Sequence, residues 1–241
     1  MTQSADTPVS PPERMLLASQ SPRRRRLLGW LGLPFSATSV DTPEDMTSPL
    51  AANPPALAIS LAAEKAEAVR KSGRQGEALV LCFDTVVVLD GEVLGKPSDV
   101  DDAWRMLRAL SGRTHEVVTG VALLPADAAN PHTFAVTTEV RMKSLDDDAV
   151  EAWMASGEFM GCAGAYNIEA QVAEVTEDEC FLNVTGLPLC HLYAAIAGEA
   201  GLAAAHEAGA PTIPVAACDA SLGRCCRLGP KITGRSTLSN R

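Results

Sequence analysis

A mixed α/β fold, with a twisted mixed sheet flanked by helices, is predicted by three features of this 241-residue sequence. Runs rich in β-branched residues alternate along the chain with runs of helical period. Asp90-Gly91, set between two apolar runs, marks a tight antiparallel hairpin, so the sheet is not purely parallel. Helix-start chemistry recurs at Ser21-Pro22, Ser98-x-x-Asp101 and Ser144-x-x-Asp147.

Taken in order, residues 1–13 are polar and proline-rich and are expected to be disordered, residues 14–200 to form one domain, and residues 201–241 a flexible Ala/Gly/Pro-rich, partly basic extension. Met15 to Ala18 reads as a short buried strand. Ser21 caps a helix whose first residue is Pro22 and which Gly32 and Pro34 end. Residues 39–55 carry four prolines and three acids and read as a long loop. The next helix, 56–73, sets Leu57, Leu61, Ala68 and Val69 on one face. Strands 78–89 and 92–96 flank the hairpin. A helix opening at Ser98 carries Trp104, Leu107 and Leu110, then strands 115–124 and 133–142 follow. A helix from Ser144 through Trp153 stops at Gly157. Residues 164–175 alternate like a strand, and a Gly186-Pro188 turn leads into the last helix.

With 46% hydrophobic residues the chain can bury one sizeable core. No uncharged apolar run reaches membrane-spanning length, and the opening residues lack a signal-peptide core, so no membrane association and a cytoplasmic location are expected. Seven cysteines, an odd number without C-x-x-C spacing, fit free thiols. The net charge of −10 argues against stable nucleic-acid binding. The last 21 residues run the other way, with five basic side chains and no acid. No P-loop, G-x-G-x-x-G, zinc-binding His/Cys spacing or G-x-S-x-G is present. His115 and His191 read as structural.

Three local features point to chemistry. Arg23 and Arg24 fall in the first turn of a helix, where the dipole and free N–H groups oppose cations by about 0.3–1 kcal/mol each unless an anion is bound there. The alternative is a solvated basic face, and helical geometry lets at most two of Arg23 to Arg26 face one ligand. Asp84 interrupts a strand that otherwise reads as buried. An unpaired carboxylate there is costly, which leaves a metal ligand, a general base or a hydrogen-bonded bulge. Lys65 falls on the apolar stripe of its helix, either snorkelling or reaching a site, and Lys96 ends a strand just before Pro97. Two lysines, an arginine pair and a carboxylate suit a phosphate polyanion with a divalent metal.

The stretches "LLASQSPRRRRLL", "LAAEKA", "FDTVVVLDGEVLGKP", "AWRMLRALSGRTHEVVTGVAL", "CAGAYNIE" and "VTGLPL" occur in the order and approximate spacing of the Maf-like nucleotide pyrophosphatases, which the chain resembles from Met15 to Ile196. That resemblance implies two lobes with a deep cleft, an architecture related to the inosine triphosphate pyrophosphatases, and often a homodimer. The implied reaction cleaves a nucleoside triphosphate to the monophosphate and pyrophosphate with Mg²⁺ or Mn²⁺. Asp84 matches the proton acceptor, with Lys65 and Lys96 as catalytic lysines. Ser19, Arg23, Arg24, Thr85 and Glu169 match substrate-binding positions, and Glu44 with Asp84 the metal-binding ones. Arg23 and Thr85 resemble the branch preferring dTTP and UTP. Glu169, standing where that branch has Gln, and Cys162 resemble the branch preferring N7-methyl-GTP, which makes methyl-GTP or broad specificity the alternative. A non-catalytic nucleotide sensor or cell-division interaction protein is the alternative of another class.

Overall fold

The computed structural model describes residues 15–198 and 211–234. The expected disordered segment 1–13 and the remainder of the extension lie outside the described residues. Seven strands form one sheet among them: β1 (Met15–Ala18), β2 (Ser36–Thr38), β3 (Leu79–Leu89), β4 (Glu92–Leu94), β5 (Thr114–Leu124), β6 (His132–Met142) and β7 (Ala173–Glu174). Their order is β2-β1-β3-β5-β6-β7, with β4 beside β3. The pairs β1–β2 and β1–β3 are parallel and the rest antiparallel, so the sheet is mixed, as predicted. The helices are α1 (Pro22–Gly29), α2 (Pro54–Lys71), α3 (Val100–Leu110), α4 (Asp147–Met154), α5 (Phe181–Val184), α6 (Leu189–Ala197), α7 (Val215–Leu222) and α8 (Leu228–Ile232).

Strand β3 organises the molecule. β5 pairs with one of its edges from Val80 to Val88. On the other edge β1 takes residues 79–81 and β4 takes residues 87–89. Residues 82–86 therefore have no strand partner on that edge, and the sheet opens beside Asp84 and Thr85. The Asp90-Gly91 turn, with φ of +53° and +83°, is what folds β4 back onto the far end of β3.

The two-residue period of β3 sorts its side chains. Leu79, Leu81 and Phe83 pack with Leu27, Leu28 and Leu31 around α1 and with Leu189 and Leu192 of α6. Val87 and Leu89, on the same face, join a separate cluster with Ala103, Met106, Leu107 and Leu110 of α3. Thr85 lies between these clusters. On the opposite face, α2 runs along the whole strand: Ala62, Ala66 and Val69 cover Val80 and Cys82, while Leu57, Ala58 and Leu61 cover Val86 and Val88. Asp84 belongs to this face.

Several local expectations are corrected. The helix caps are Asp99 and Asp146, not Ser98 and Ser144: Asp99 accepts from the Asp102 N–H at 2.8 Å and Asp146 from Ala149 at 2.9 Å. A carboxylate accepts more strongly than a hydroxyl, and in the first case Asp102 answers by accepting from Ser98 N at 3.0 Å. The helical face of α2 buries Ala66, leaving Ala68 half-exposed. Residues 164–175 are not a strand but two 3-10 turns ending in the two-residue β7. Positive φ at Gly164, Ala165 and Gln171 breaks any extended run there. The loop 39–55 contains a 3-10 turn at Pro49–Ala52, and β2 and α5 were not foreseen.

The extension expected to be flexible is, over residues 211–234, packed on the domain. Cys218 is buried in the α1/α6 core, with Leu222 and Leu228 against it. Thr212 N donates to Leu31 O at 2.7 Å, and Arg224 Nη2 to Val175 O at 2.7 Å. Arg227 pairs with Glu177 at 3.0 Å and Lys231 with Asp178 at 3.5 Å. The basic character that reads as a solvated tail is complementary to an acidic stretch, 177–179, more than 40 residues earlier in the chain.

Gly120 lies opposite Asp84 in the β3–β5 ladder, and a Cβ there would stand 2.1 Å from the Ala58 backbone of α2. Absence of a side chain thus lets α2 lie close to the sheet. Gly120→Ala is expected to destabilise the protein by at least about 1–3 kcal/mol, the usual effect of overpacking; an unchanged chemical-denaturation midpoint would contradict this close approach.

Candidate active site

A cleft of about 1120 Å³ opens at the break in the sheet. Its lining includes every residue singled out from the sequence: Ser19, Arg23, Arg24, Glu44, Lys65, Asp84, Thr85, Lys96 and Glu169. They arrive from the β1–α1 turn, α1, the 39–48 loop, α2, β3, the β4–α3 connection and the 168–170 turn.

Asp84 is 3% exposed. Its Oδ1 is ion-paired with Lys65 Nζ, while Oδ2 is buried with no hydrogen-bond partner. Lys65 also bonds Glu44 Oε1 at 3.0 Å, and the same oxygen accepts from Lys96 Nζ at 2.8 Å. The four side chains form one chain of alternating sign. Position 65 on the apolar stripe is explained by this: α2 lies against Asp84's face of the sheet, so a side chain directed at the sheet meets the carboxylate. Burial pushes the Asp84 carboxyl above its ordinary value; Lys65 pulls it down and Glu44 pushes it up. For Glu44, burial acts upward but Lys65 and Lys96 outweigh it, and the carboxyl lies below its ordinary value.

On the other face, Arg24 ties three segments together. Its Nε donates to Gly186 O at 2.8 Å, Nη2 to Thr85 Oγ1 at 2.9 Å and Nη1 to Ser19 Oγ at 3.5 Å. Burial lowers its pKa, opposed by the charge of Asp84. Thr85 is held in turn by Thr119 Oγ1 at 3.0 Å, and Thr119 donates to Asn183 O at 3.2 Å. Asn183 is fully buried and its amide donates to Val117 O, Val136 O and Thr138 Oγ1. Gly186 has φ of +97°, which turns its carbonyl toward the guanidinium at a position that disfavours side chains.

The α1 cap is as predicted, with Ser21 Oγ accepting from Arg24 N at 3.3 Å. Of the four arginines, Arg23 and Arg24 line the cleft. Arg25 donates to Ser19 O at 3.4 Å, and Arg26 is ion-paired with Glu169. Arg23 Nη2 donates to Cys162 Sγ at 3.4 Å. The sequence reading missed Arg26, Thr119, Asn183 and Gly186. "VTGLPL" contained the last of these, but nothing in its residues says that a carbonyl is the functional group. His115 is structural: its Nε2 is 2.7 Å from Tyr166 Oη, and burial lowers its pKa to about 4. Among the described residues no three His, Cys, Asp or Glu side chains gather as a metal set, and no helix is long and apolar enough to cross a membrane.

Fold and site together define an α/β protein with a cleft that gathers arginine and lysine side chains around one buried carboxylate. The chain belongs to the Maf-like family, whose description, Maf-like protein, matches residues 14–199. It is 43% identical over 182 residues to a dTTP/UTP pyrophosphatase of Pelotomaculum thermopropionicum, covering 75% of this chain and 93% of that one. A dTTP/UTP pyrophosphatase of Syntrophomonas wolfei is 40% identical, with 75% and 95% covered. Among solved structures, a nucleoside-triphosphatase / dITP/XTP pyrophosphatase from Mycobacterium abscessus superposes on 54% of this chain and 74% of its own at 15% identity. Its TM-score of 0.34 is too low for comparison of sites.

The opposing charges around Asp84 give a two-signed expectation. Lys65→Met, which removes a lowering charge, is expected to raise the Asp84 pKa further, and Glu44→Gln, which removes a raising charge, to lower it. Carboxyl ¹³C NMR titration of the metal-free protein reads both; shifts of the same sign in the two variants would contradict the geometry.

Proposed function

We propose that this protein is a nucleoside triphosphate pyrophosphatase acting on dTTP and UTP, releasing the monophosphate and pyrophosphate. The observation that carries the reading is the buried Asp84, with one unpartnered oxygen, in a cleft walled by Lys65, Lys96 and Arg24. The dTTP/UTP pyrophosphatase names of the relatives support the substrate class.

In this mechanism the triphosphate lies among Lys65, Lys96, Arg23 and Arg24, whose charges offset those of the phosphates. Asp84 accepts a proton from water as the water oxygen attacks the α-phosphorus. The bond from that phosphorus to the bridging oxygen breaks, and pyrophosphate leaves with the electron pair. Burial makes Asp84 a stronger base than an aspartate in water, while the charge of Lys65 pulls the other way and favours the carboxylate. Arg24 holds Thr85, Ser19 and Gly186 in register, so its fork positions as well as neutralises.

A divalent cation, Mg²⁺ or Mn²⁺, fits the donor set: the orphaned Asp84 Oδ2 and the Glu44 carboxylate are hard oxygen ligands suited to an ion that keeps several waters and substrate oxygens. When bound it supplies Lewis-acid polarisation of the phosphate oxygens.

Incubation with Mg²⁺ and a panel of nucleoside triphosphates should yield pyrophosphate and monophosphate; orthophosphate in place of pyrophosphate would exclude the cleavage position. Asp84→Asn is expected to lower turnover by about 10²–10⁴-fold, as loss of a general base does. Its unfolding midpoint at neutral pH should be no lower than wild type, since the neutral amide is cheaper to bury than the ionised carboxylate. Activity near wild type would remove Asp84 from the role of base.

A further inference from the structure

Five of the seven cysteines, Cys180, Cys190, Cys218, Cys225 and Cys226, line one small cavity of about 20 Å³ where residues 211–234 pack on the domain. Two of them belong to the stretch matched by the family and three to the segment beyond it. All are free thiols. Gly229 brings two of the sulfurs together. A Cβ there would stand 3.3 Å from Cys190 Sγ and 3.7 Å from Cys226 Sγ, so the two sulfurs are at most about 7 Å apart, with no side chain on Gly229 to separate them. The Gly229 N–H donates to Cys226 Sγ at 3.3 Å and holds that sulfur beside α6. Among the described residues no three His, Cys, Asp or Glu side chains converge as metal ligands do, so the chemistry open to these thiols is between pairs. Exposure divides them. Cys226 is half-exposed, whereas Cys180, Cys190 and Cys218 are buried. Burial pushes the three buried thiols up, Cys180 and Cys218 to about 12, so they stay protonated and unreactive toward an oxidant in solvent.

We propose that Cys226 and Cys190 form an oxidation-dependent disulfide, made by a peroxide, that fastens residues 211–234 to α6. Hydrogen peroxide first transfers one oxygen to the accessible Cys226, giving the sulfenic acid and one water. Cys190 Sγ then attacks that sulfur: the S–S bond forms as the S–O bond breaks, and the hydroxyl leaves as a second water with the Cys190 proton. Two thiols are oxidised and one peroxide is reduced to two waters. Cys190 is a slow nucleophile, but it is held next to its target, which offsets this. The cavity supplies the free volume into which the two side chains rotate as the sulfurs close to bonding distance. Before oxidation the segment is seated by a few apolar side chains and by the ion pairs Arg227–Glu177 and Lys231–Asp178, and exposed pairs of this kind contribute little. The covalent link makes that seat persistent, and reducing thiols release it again.

The test uses the full chain and no nucleotide, so its outcome is separate from the pyrophosphatase reading. The protein is treated with limiting hydrogen peroxide, its remaining thiols are blocked, and its peptides are mapped by mass without reductant. The peptides bearing Cys190 and Cys226 are expected to be joined, lighter by two hydrogens. Tryptic cleavage of the native protein after Arg224, Arg227 and Lys231 should slow by at least about tenfold on oxidation, because the link suppresses the open state that the protease cuts. Dithiothreitol should restore the starting rate. Cys226→Ser, a change at a half-exposed position that leaves the core intact, should show neither effect, whereas Cys225→Ser, one residue away, should show both. Cys226 that stops at the sulfenic or sulfinic acid, or joins Cys180, Cys218, Cys225 or a second chain instead, overturns the proposal. So does tryptic cleavage that oxidation leaves unchanged.

Discussion

A carboxylate inside an apolar sheet must find a cation or lose its charge, and the pairing of Asp84 with Lys65 is the constraint around which this molecule is built. Lys65 can meet Asp84 only if α2 lies against the right face of β3. That depends on Gly120, whose missing side chain admits the Ala58 backbone. The carboxylate can meet solvent only because β1 and β4 leave residues 82–86 of β3 unpaired on one edge. Sheet topology, a glycine and an ion pair are three parts of one arrangement. It weighs on stability: an aspartate whose native pKa is raised binds its proton more tightly folded than unfolded. Stability from this group is present at pH values below the ordinary aspartate pKa and is lost as pH rises through the raised one.

How much of this was legible in the residues varied with the kind of signal. Asp84 and Lys65 were visible as violations, a charge in a strand and a charge on an apolar stripe, because local pattern rules fail where chemistry overrides them. The α1 cap was legible from Ser21-Pro22, and the β3–β4 hairpin from Asp90-Gly91, since both are local. Residues 164–175 misled because apolar alternation also arises when successive 3-10 turns drop Ala165 and Ile168 into a core. Asn183 and Gly186 were invisible as function. One works through buried hydrogen bonds to strands far away in sequence and the other through a backbone carbonyl, and neither leaves a composition signal.

The four arginines also divide by geometry. Helical spacing sends Arg24 to the sheet opening and Arg23 with Arg26 to the facing turn segment. Helical geometry lets at most two of the four face one ligand, and Arg23 and Arg24 are the two that line the cleft, while Arg26 is paired with Glu169. The same lesson holds for the five basic residues near the C-terminus. Arg227 and Lys231 have acidic partners at 177–178, and net charge said nothing of that pairing.

The placement of α2 has a mechanical side. Its Leu57, Ala58 and Leu61 grip one half of β3 and its Ala62, Ala66 and Val69 the other. Spreading the two halves of the strand would strip several of these contacts, at about 1.5–3 kcal/mol for each large side chain exposed. The helix is a splint across the split sheet. It makes the floor that carries Lys65 and Asp84 a single stiff body, so any widening or narrowing of the mouth falls to the opposite wall.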